Sequence, residues 1–278
     1  MAQLIHPAQI VFLIDSTGSM DPCIKRLSEN IHTFMDGLSA GNEQVDWSAR
    51  VVGFRDTETD REKDWFVGLD NHAFVKTAGE LKIQLNALQA KFGGIGEAEI
   101  PETGLDALWA VSHAADWDPI GSMHRVIVLL SDAPTKDIVT DNVADPPLSH
   151  NDDVQDLGQF LAGEHFKVQI YALDCPSYER LGQLPNGDFF DVSSGAAGDT
   201  YLGLENLDFD KIAQYLYGSI TGSALPVGNA PAAPPVEEAE TSSGTQAGTV
   251  PEQPTQGGPA SPSQGGGPSL PPGGTQEA

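Results

Sequence analysis

The apolar positions of this chain follow two spacings, which predict strands and helices in alternation. Four consecutive apolar residues, Val-Phe-Leu-Ile at 11–14, predict a strand that is buried on both faces, as in a parallel sheet. After Pro22 the apolar residues recur at gaps of three and four, namely Ile24, Leu27, Ile31, Phe34 and Leu38. That spacing predicts an amphipathic helix directly after the first strand.

The same order repeats along the chain. Further strands are predicted at 47–54, 125–130, 168–173 and 188–192, with a short edge strand at 65–67. Helices are predicted at 78–90, from Pro101 onward, at 153–164 and at 207–220, with a helical turn at 178–181. Alternating strands and helices are typical of an α/β fold with a doubly wound, mostly parallel sheet.

The composition changes at residue 221. The last 58 residues contain 11 Pro and 11 Gly but no Lys or Arg, and their apolar residues have no periodicity. Such a segment cannot bury enough apolar surface to offset its chain entropy. We therefore predict a folded domain over residues 1–220 and a disordered, acidic Pro/Gly-rich tail over residues 221–278.

The net charge narrows the classes of partner. The chain carries −26, and because the tail holds only five acids, −21 of this falls on residues 1–220. Nucleic acid and anionic membrane surfaces are disfavoured as partners, because both are bound through Lys and Arg. The only cysteines, Cys23 and Cys175, fall in different predicted layers, so we expect reduced thiols and a cytoplasmic protein.

Three polar side chains follow the first strand. Asp15, Thr17 and Ser19 are predicted to lie on the strand-to-helix turn, at the carboxyl edge of the sheet where open α/β sheets bind ligands. One carboxylate and two hydroxyls are oxygen ligands, which suit Mg²⁺, with Mn²⁺ or Ca²⁺ as alternatives. The simpler alternative is a helix cap, since Asp, Ser and Thr are common capping residues.

Two later segments add acids at the same predicted edge. Asp132 follows the most apolar strand of the chain, and a Gly-rich loop at 93–96 leads to Glu99, Glu102 and Thr103 before a helix. The alternative for Asp132 is a turn or cap residue. The alternative for the acids of the loop is stabilisation of a helix N-terminus.

These segments together carry a family resemblance. Asp-Ser-Thr-Gly-Ser-Met at 15–20 resembles the metal-ion-dependent adhesion site (MIDAS) of von Willebrand factor A (VWA) domains, whose motif is Asp-x-Ser-x-Ser. Thr17 replaces the first serine and keeps its hydroxyl, and Asp132 matches the last aspartate of the family's metal site. Residues 93–105 resemble the Gly-rich, acid-x-Pro-Glu loop of one branch of the family. The resemblance spans residues 8–220 in the family's order.

The resemblance implies a six-stranded sheet in the order 3-2-1-4-5-6 with an antiparallel edge strand, and a divalent cation at Asp15, Thr17, Ser19 and Asp132. It leaves the ligand from the third loop open. Glu102 matches the glutamate that follows proline in one branch and ranks first. Thr103 ranks second, because most A domains use a threonine here, and the register against Gly104-Leu105 points instead to Glu99.

In the family, the cation keeps an open position that accepts an acidic side chain of a partner protein. The resemblance to cytosolic bacterial members therefore implies a metal-dependent protein-interaction module and no enzymatic activity. One alternative is a haloacid-dehalogenase-type phosphatase with Asp15 as nucleophile and Ser131 after a later strand, although Thr17 stands where the general acid belongs. Another is a structural VWA domain with a degenerate metal site.

Overall fold

A computed structural model of the 278-residue chain describes residues 4–39, 44–56, 66–91, 101–114, 116–137, 139, 152–192, 204 and 207–223. The Gly-rich loop at 92–100, and with it Glu99, lies outside the described residues. So does the predicted tail beyond Ser223.

Within these residues the chain forms six strands, six α-helices and one 3₁₀ turn, Gly18–Met20. The strands are β1 (Ile5–Asp15), β2 (Gln44–Phe54), β3 (Phe66–Val67), β4 (His124–Ser131), β5 (Phe166–Ala172) and β6 (Gly187–Asp191). The helices are α1 (Asp21–Ser39), α2 (Ala78–Lys91), α3 (Gly104–Ala114), α4 (Asp153–Gly163), α5 (Pro176–Gly182) and α6 (Phe209–Thr221). In this described part, no helix combines the length and apolar character needed to cross a membrane.

The strands form one sheet in the order β3-β2-β1-β4-β5-β6. All neighbours are parallel except β3, which pairs antiparallel to β2 through Gly53 and Val67. The predicted α/β class, the strand order and the antiparallel edge strand are therefore confirmed. β1 lies between β2 and β4, so its carboxyl end is flanked by the ends of both.

Helices cover both faces of the sheet, which explains the unbroken apolar run of the first strand. Alternate residues of a strand point to opposite faces. Ile10, Phe12 and Ile14 pack in a cluster with α1, α2 and α6, whereas Val11 and Leu13 pack in a second cluster with α3, α4 and α5. Both faces of β1 are thus apolar, as expected for a central parallel strand.

The two cysteines lie in these two different clusters. Cys23 belongs to the cluster with α1, and Cys175 belongs to the cluster with α5. Both are buried free thiols, which agrees with the prediction of unpaired cysteines in separate layers.

The predicted start of the third helix is wrong. The helix begins at Gly104 and not at Pro101, because Glu102 forms an isolated parallel bridge with Thr135. The hydroxyl of Thr135 then accepts a hydrogen bond from the Leu105 backbone N–H at 3.2 Å, so a residue of another loop satisfies one N–H group in the first turn of α3. This non-helical segment places Glu102 and Thr103 at the carboxyl edge of the sheet.

Candidate metal centre

Asp15 ends β1 and is completely buried. Its Oδ1 accepts hydrogen bonds from the Thr17 backbone N–H at 2.9 Å and from the Thr17 hydroxyl at 2.8 Å. Its Oδ2 accepts a third hydrogen bond from the Ser131 hydroxyl at 2.9 Å. Both oxygens of a buried carboxylate are therefore held in place by donors from two adjacent strand ends.

Thr17 and Ser19 lie where the chain turns from β1 into α1. The 3₁₀ turn brings their hydroxyl oxygens to 3.1 Å from each other. Thr17 is buried and Ser19 is partly exposed, so the pair lies between the interior and the solvent. The predicted clustering of Asp15, Thr17 and Ser19 on one turn is thus present in the structure.

Asp132 follows β4 and is 9% exposed. The hydroxyl of Ser19 is hydrogen-bonded to its carboxylate. Its Oδ1 is buried and has no hydrogen-bond partner among the described residues. The acid that follows β4 therefore joins the group formed by the turn after β1, and it presents one oxygen with unused acceptor capacity.

The two carboxylates affect each other electrostatically. Burial, which is the largest cause, and the negative charge of Asp132 together raise the pKa of Asp15 to about 6, against the hydrogen bonds from Thr17 and Ser131 that lower it. Burial also raises the pKa of Asp132, against the hydrogen bond from Ser19. Ionising both acids without a compensating positive charge is therefore unfavourable, which is the condition that a bound cation relieves.

The segment carrying Glu102 and Thr103 crosses the end of β1. The backbone N–H of Glu102 donates to the Pro134 carbonyl at 2.8 Å, and its carbonyl accepts from the Lys136 N–H at 3.0 Å. On the other side, the Thr103 hydroxyl donates to the Arg55 carbonyl at 2.6 Å. Because β1 lies between β2 and β4, this segment lies over the carboxyl end of β1, and both of its side chains are buried.

An ion pair spans the same edge. Lys136 Nζ lies 2.5 Å from Oδ1 of Asp56, a buried residue that follows β2. It joins the loop after β4 to the end of β2, across the end of β1. The ammonium thus adds a positive charge at an edge that is otherwise rich in carboxylates.

Two residues beside the candidate metal site are not indicated by the sequence as part of it. In the sequence, Ser131 stands out only in the phosphatase alternative, as the hydroxyl residue after a later strand, yet it donates a hydrogen bond to Asp15. Tyr178 of α5 is completely buried, and both burial and the charge of Asp15 raise its pKa. A Ser directly before an Asp at the end of an apolar strand could have indicated the first. No local pattern indicates the second.

The donor chemistry fits a hard divalent cation. Asp15, Thr17, Ser19 and Asp132 supply carboxylate and hydroxyl oxygens only, and Asp132 Oδ1 has no protein donor among the described residues. No group of three or more His, Cys, Asp or Glu residues suited to a metal occurs in the described part of the chain. The candidate centre thus combines two carboxylates with two hydroxyls and would need water or a partner to complete an octahedron.

Comparison with known proteins finds distant structural likeness only. No family model matches the chain, and no curated protein matches it either. Among solved structures, the pilus adhesin SpaC from Lactobacillus rhamnosus GG in an open conformation is 14% identical with a TM-score of 0.49, over 78% of this chain and 31% of the adhesin.

A second similar structure is proximal thread matrix protein 1 from the mussel byssus, 13% identical with a TM-score of 0.42 over 81% of this chain and 48% of that one. Another crystal structure of the mussel protein, described as having a zinc-occupied MIDAS motif, is 12% identical with a TM-score of 0.43, over 78% of this chain and 47% of that one. The chain therefore spans less than half the length of either protein. At these identities and TM-scores, the likeness carries no argument about function.

Proposed function

We propose that this chain is a metal-dependent protein-interaction module of the VWA type. Its divalent cation is held by Asp15, Thr17, Ser19 and Asp132 and accepts an acidic side chain from a partner protein. The proposal depends on one observation, the convergence of these four side chains in a hydrogen-bonded group at the ends of β1 and β4. The group also contains a buried carboxylate oxygen, Asp132 Oδ1, without a partner among the described residues.

The direction of the hydrogen bonds supports metal binding. The Thr17 hydroxyl donates a hydrogen bond to Asp15. Its oxygen lone pairs can therefore accept a hydrogen bond from the Ser19 hydroxyl or coordinate a cation. In the proposed complex, Asp15 would keep the hydrogen bond from Thr17 and supply negative charge, while Asp132 and the two hydroxyls would supply oxygen ligands. The cation would lower the electrostatic cost of keeping both acids ionised.

The partner's chemistry follows from the charge of the centre. With two carboxylates the charge of a divalent cation is balanced, so an acidic ligand meets no net negative charge at the open position and can coordinate the cation directly. Direct coordination by Glu102 would add a third negative charge and weaken that attraction, whereas Thr103 would not. Glu99, the remaining candidate, lies outside the described residues.

Mg²⁺ is the proposed ion, with Mn²⁺ and Ca²⁺ as alternatives, because all three accept oxygen ligands. A cytoplasmic location, a function without nucleic acid or membrane, and the absence of catalysis are further parts of the proposal. The buried thiols of Cys23 and Cys175 support a reducing compartment. The complete burial of Asp15 argues against its use as a phosphatase nucleophile, and an assay with a phenyl phosphate substrate tests that alternative.

The deciding experiment is calorimetric titration of the purified chain with MgCl₂ and MnCl₂. Wild type should bind one cation, whereas Asp15→Asn and Asp132→Asn should lose binding and still fold, because the amide keeps the shape of the carboxylate. Asp36→Asn, which removes an exposed acid of α1, is the matched control and should bind like wild type. Absence of binding by wild type would leave the structural domain with a degenerate site as the better description.

A further inference from the structure

Ser131 contacts one acid of the candidate metal centre, Asp15, and directly precedes the other, Asp132, in the chain. The residue is the last of β4 and is completely buried. Its Oγ lies 2.9 Å from Asp15 Oδ2, 3.1 Å from the Ala133 carbonyl oxygen and 3.2 Å from the Ala133 backbone nitrogen. The side chain therefore contacts β1 and also the turn that carries Asp132.

A serine hydroxyl has one proton, so its two acceptors compete for it. The Ala133 N–H can only donate, and it therefore occupies a lone pair of Ser131 Oγ. Of the two acceptors, the Asp15 carboxylate is the stronger, because hydrogen bonds to an ionised acceptor are roughly twice as strong as neutral ones. The proton consequently points to Asp15 Oδ2, while the lone pair holds the turn at residues 131–133.

We propose that Ser131 is a positioning residue that orients both carboxylates of the metal centre, Asp15 through its hydroxyl proton and Asp132 through the turn that its lone pair holds. This inference rests on the proposed function, since it assigns Ser131 a role in cation binding.

Ser131 has this role because Thr17 leaves one oxygen of Asp15, Oδ2, without a hydrogen bond. Both hydrogen bonds from Thr17 go to Asp15 Oδ1, and within the described residues the donor to Oδ2 is Ser131. Without that donor, the carboxylate can rotate about its Cβ–Cγ bond, and Oδ2 becomes a buried acceptor without a partner. Hydrogen bonds that orient metal-site carboxylates typically affect metal affinity by about 10- to 100-fold.

The test compares Ser131→Val with Ser131→Thr, because these side chains have nearly the same shape and differ in the hydroxyl. MnCl₂ affinity of the full chain is measured by calorimetry, and thermal melting is measured in metal-free buffer. Ser131→Val should bind Mn²⁺ about 10- to 100-fold more weakly than wild type. Ser131→Thr should restore affinity close to the wild-type value.

Ser112→Ala is the matched control, since it removes the hydroxyl of another buried serine, one that donates to the Trp109 carbonyl within α3. Ser112→Ala should leave Mn²⁺ affinity unchanged, and its only effect should be a lower melting temperature. Equal affinities of wild type, Ser131→Thr and Ser131→Val would overturn the positioning role and leave the proposed function intact. Absence of Mn²⁺ binding by wild type would overturn the proposed function and this inference together.

Discussion

At the scale of single residues, Asp15 carries an electrostatic cost that its hydrogen bonds only partly offset. Burial and the charge of Asp132 raise its pKa to about 6, against three donated hydrogen bonds that lower it. An acid whose pKa is higher in the folded than in the unfolded state destabilises the fold when it is ionised. Near neutral pH the metal-free domain is therefore destabilised at its candidate functional site.

This cost predicts a pH dependence of stability. Between about pH 6 and pH 4 the folded state binds a proton at Asp15 more readily than the unfolded chain does, so acidification should stabilise the metal-free fold through this residue. The shift from 3.8 to about 6 corresponds to about 3 kcal/mol at most. Asp15→Asn should therefore be the more stable chain at pH 7, and its advantage should vanish near pH 4.

Because His124 has the opposite pH dependence, the prediction is tested as the difference in unfolding free energy between wild type and Asp15→Asn. Burial, with the charges of Lys167 and His6, lowers the pKa of His124 to about 4, so acidification through this residue destabilises the fold and opposes Asp15. Urea unfolding of wild type and Asp15→Asn in metal-free buffer cancels the histidine contribution. A difference in unfolding free energy that does not change with pH would contradict the raised pKa.

At the scale of elements, the start of α3 depends on its contact with α5. A Cβ atom on Gly104 would lie 2.1 Å from Tyr178 Oη and 3.2 Å from Thr135 Oγ1. Gly104 therefore lets the first turn of α3 approach α5 and the loop after β4.

Gly104→Ala should accordingly destabilise the domain by about 1–3 kcal/mol, the usual cost of overpacking a buried contact. Tyr178→Phe removes the Oη atom that the new methyl would meet, so the double variant should recover part of the loss. Chemical denaturation of the four chains of this double-mutant cycle measures the coupling. Gly79→Ala, in the first turn of α2, is the control, because its Cβ would meet no atom within 4 Å and alanine is a better helix former than glycine.

At the scale of the whole molecule, charge and metal should act on stability in different ways. The chain carries −26, most of it on residues 1–220, and such self-repulsion destabilises a compact state. Monovalent salt screens this repulsion over about 10 Å at 0.1 M. A cation held by Asp15 and Asp132 would instead stabilise the fold by mass action, by roughly 2.7 kcal/mol at 100 times its dissociation constant.

Millimolar MgCl₂ or MnCl₂ should therefore raise the melting temperature well beyond NaCl of the same ionic strength. Asp15→Asn should remove only this excess and keep the response to NaCl, because screening acts on all surface charges. Scanning calorimetry of both chains in the two salts measures the two effects separately. Identical melting curves in MgCl₂ and matched NaCl would show that the divalent cation acts through screening alone.

The sequence determined the fold class and four of the candidate metal residues by itself. Apolar runs and apolar residues at gaps of three and four are local properties of the chain, so periodicity alone predicts the alternation of strands and helices. Residues at the ends of parallel strands are then predicted to lie at the carboxyl edge of the sheet. Asp15 and Asp132 could be named because each lies on, or directly after, such a strand end, and Thr17 and Ser19 because they lie on the turn that follows the first of these strands. The order of the strands came from the family resemblance, since periodicity does not choose neighbours in a sheet.

Only the tertiary structure decided which groups complete the site. The bond between Ser131 and Asp15 joins residues 116 positions apart in the sequence. The Thr135 hydroxyl accepts the hydrogen bond of the Leu105 N–H in the first turn of α3, and this helix starts at Gly104 and not at Pro101. These contacts depend on which loops meet above β1, and that follows from the pairing of β1 with both β2 and β4, a long-range arrangement that local periodicity does not encode.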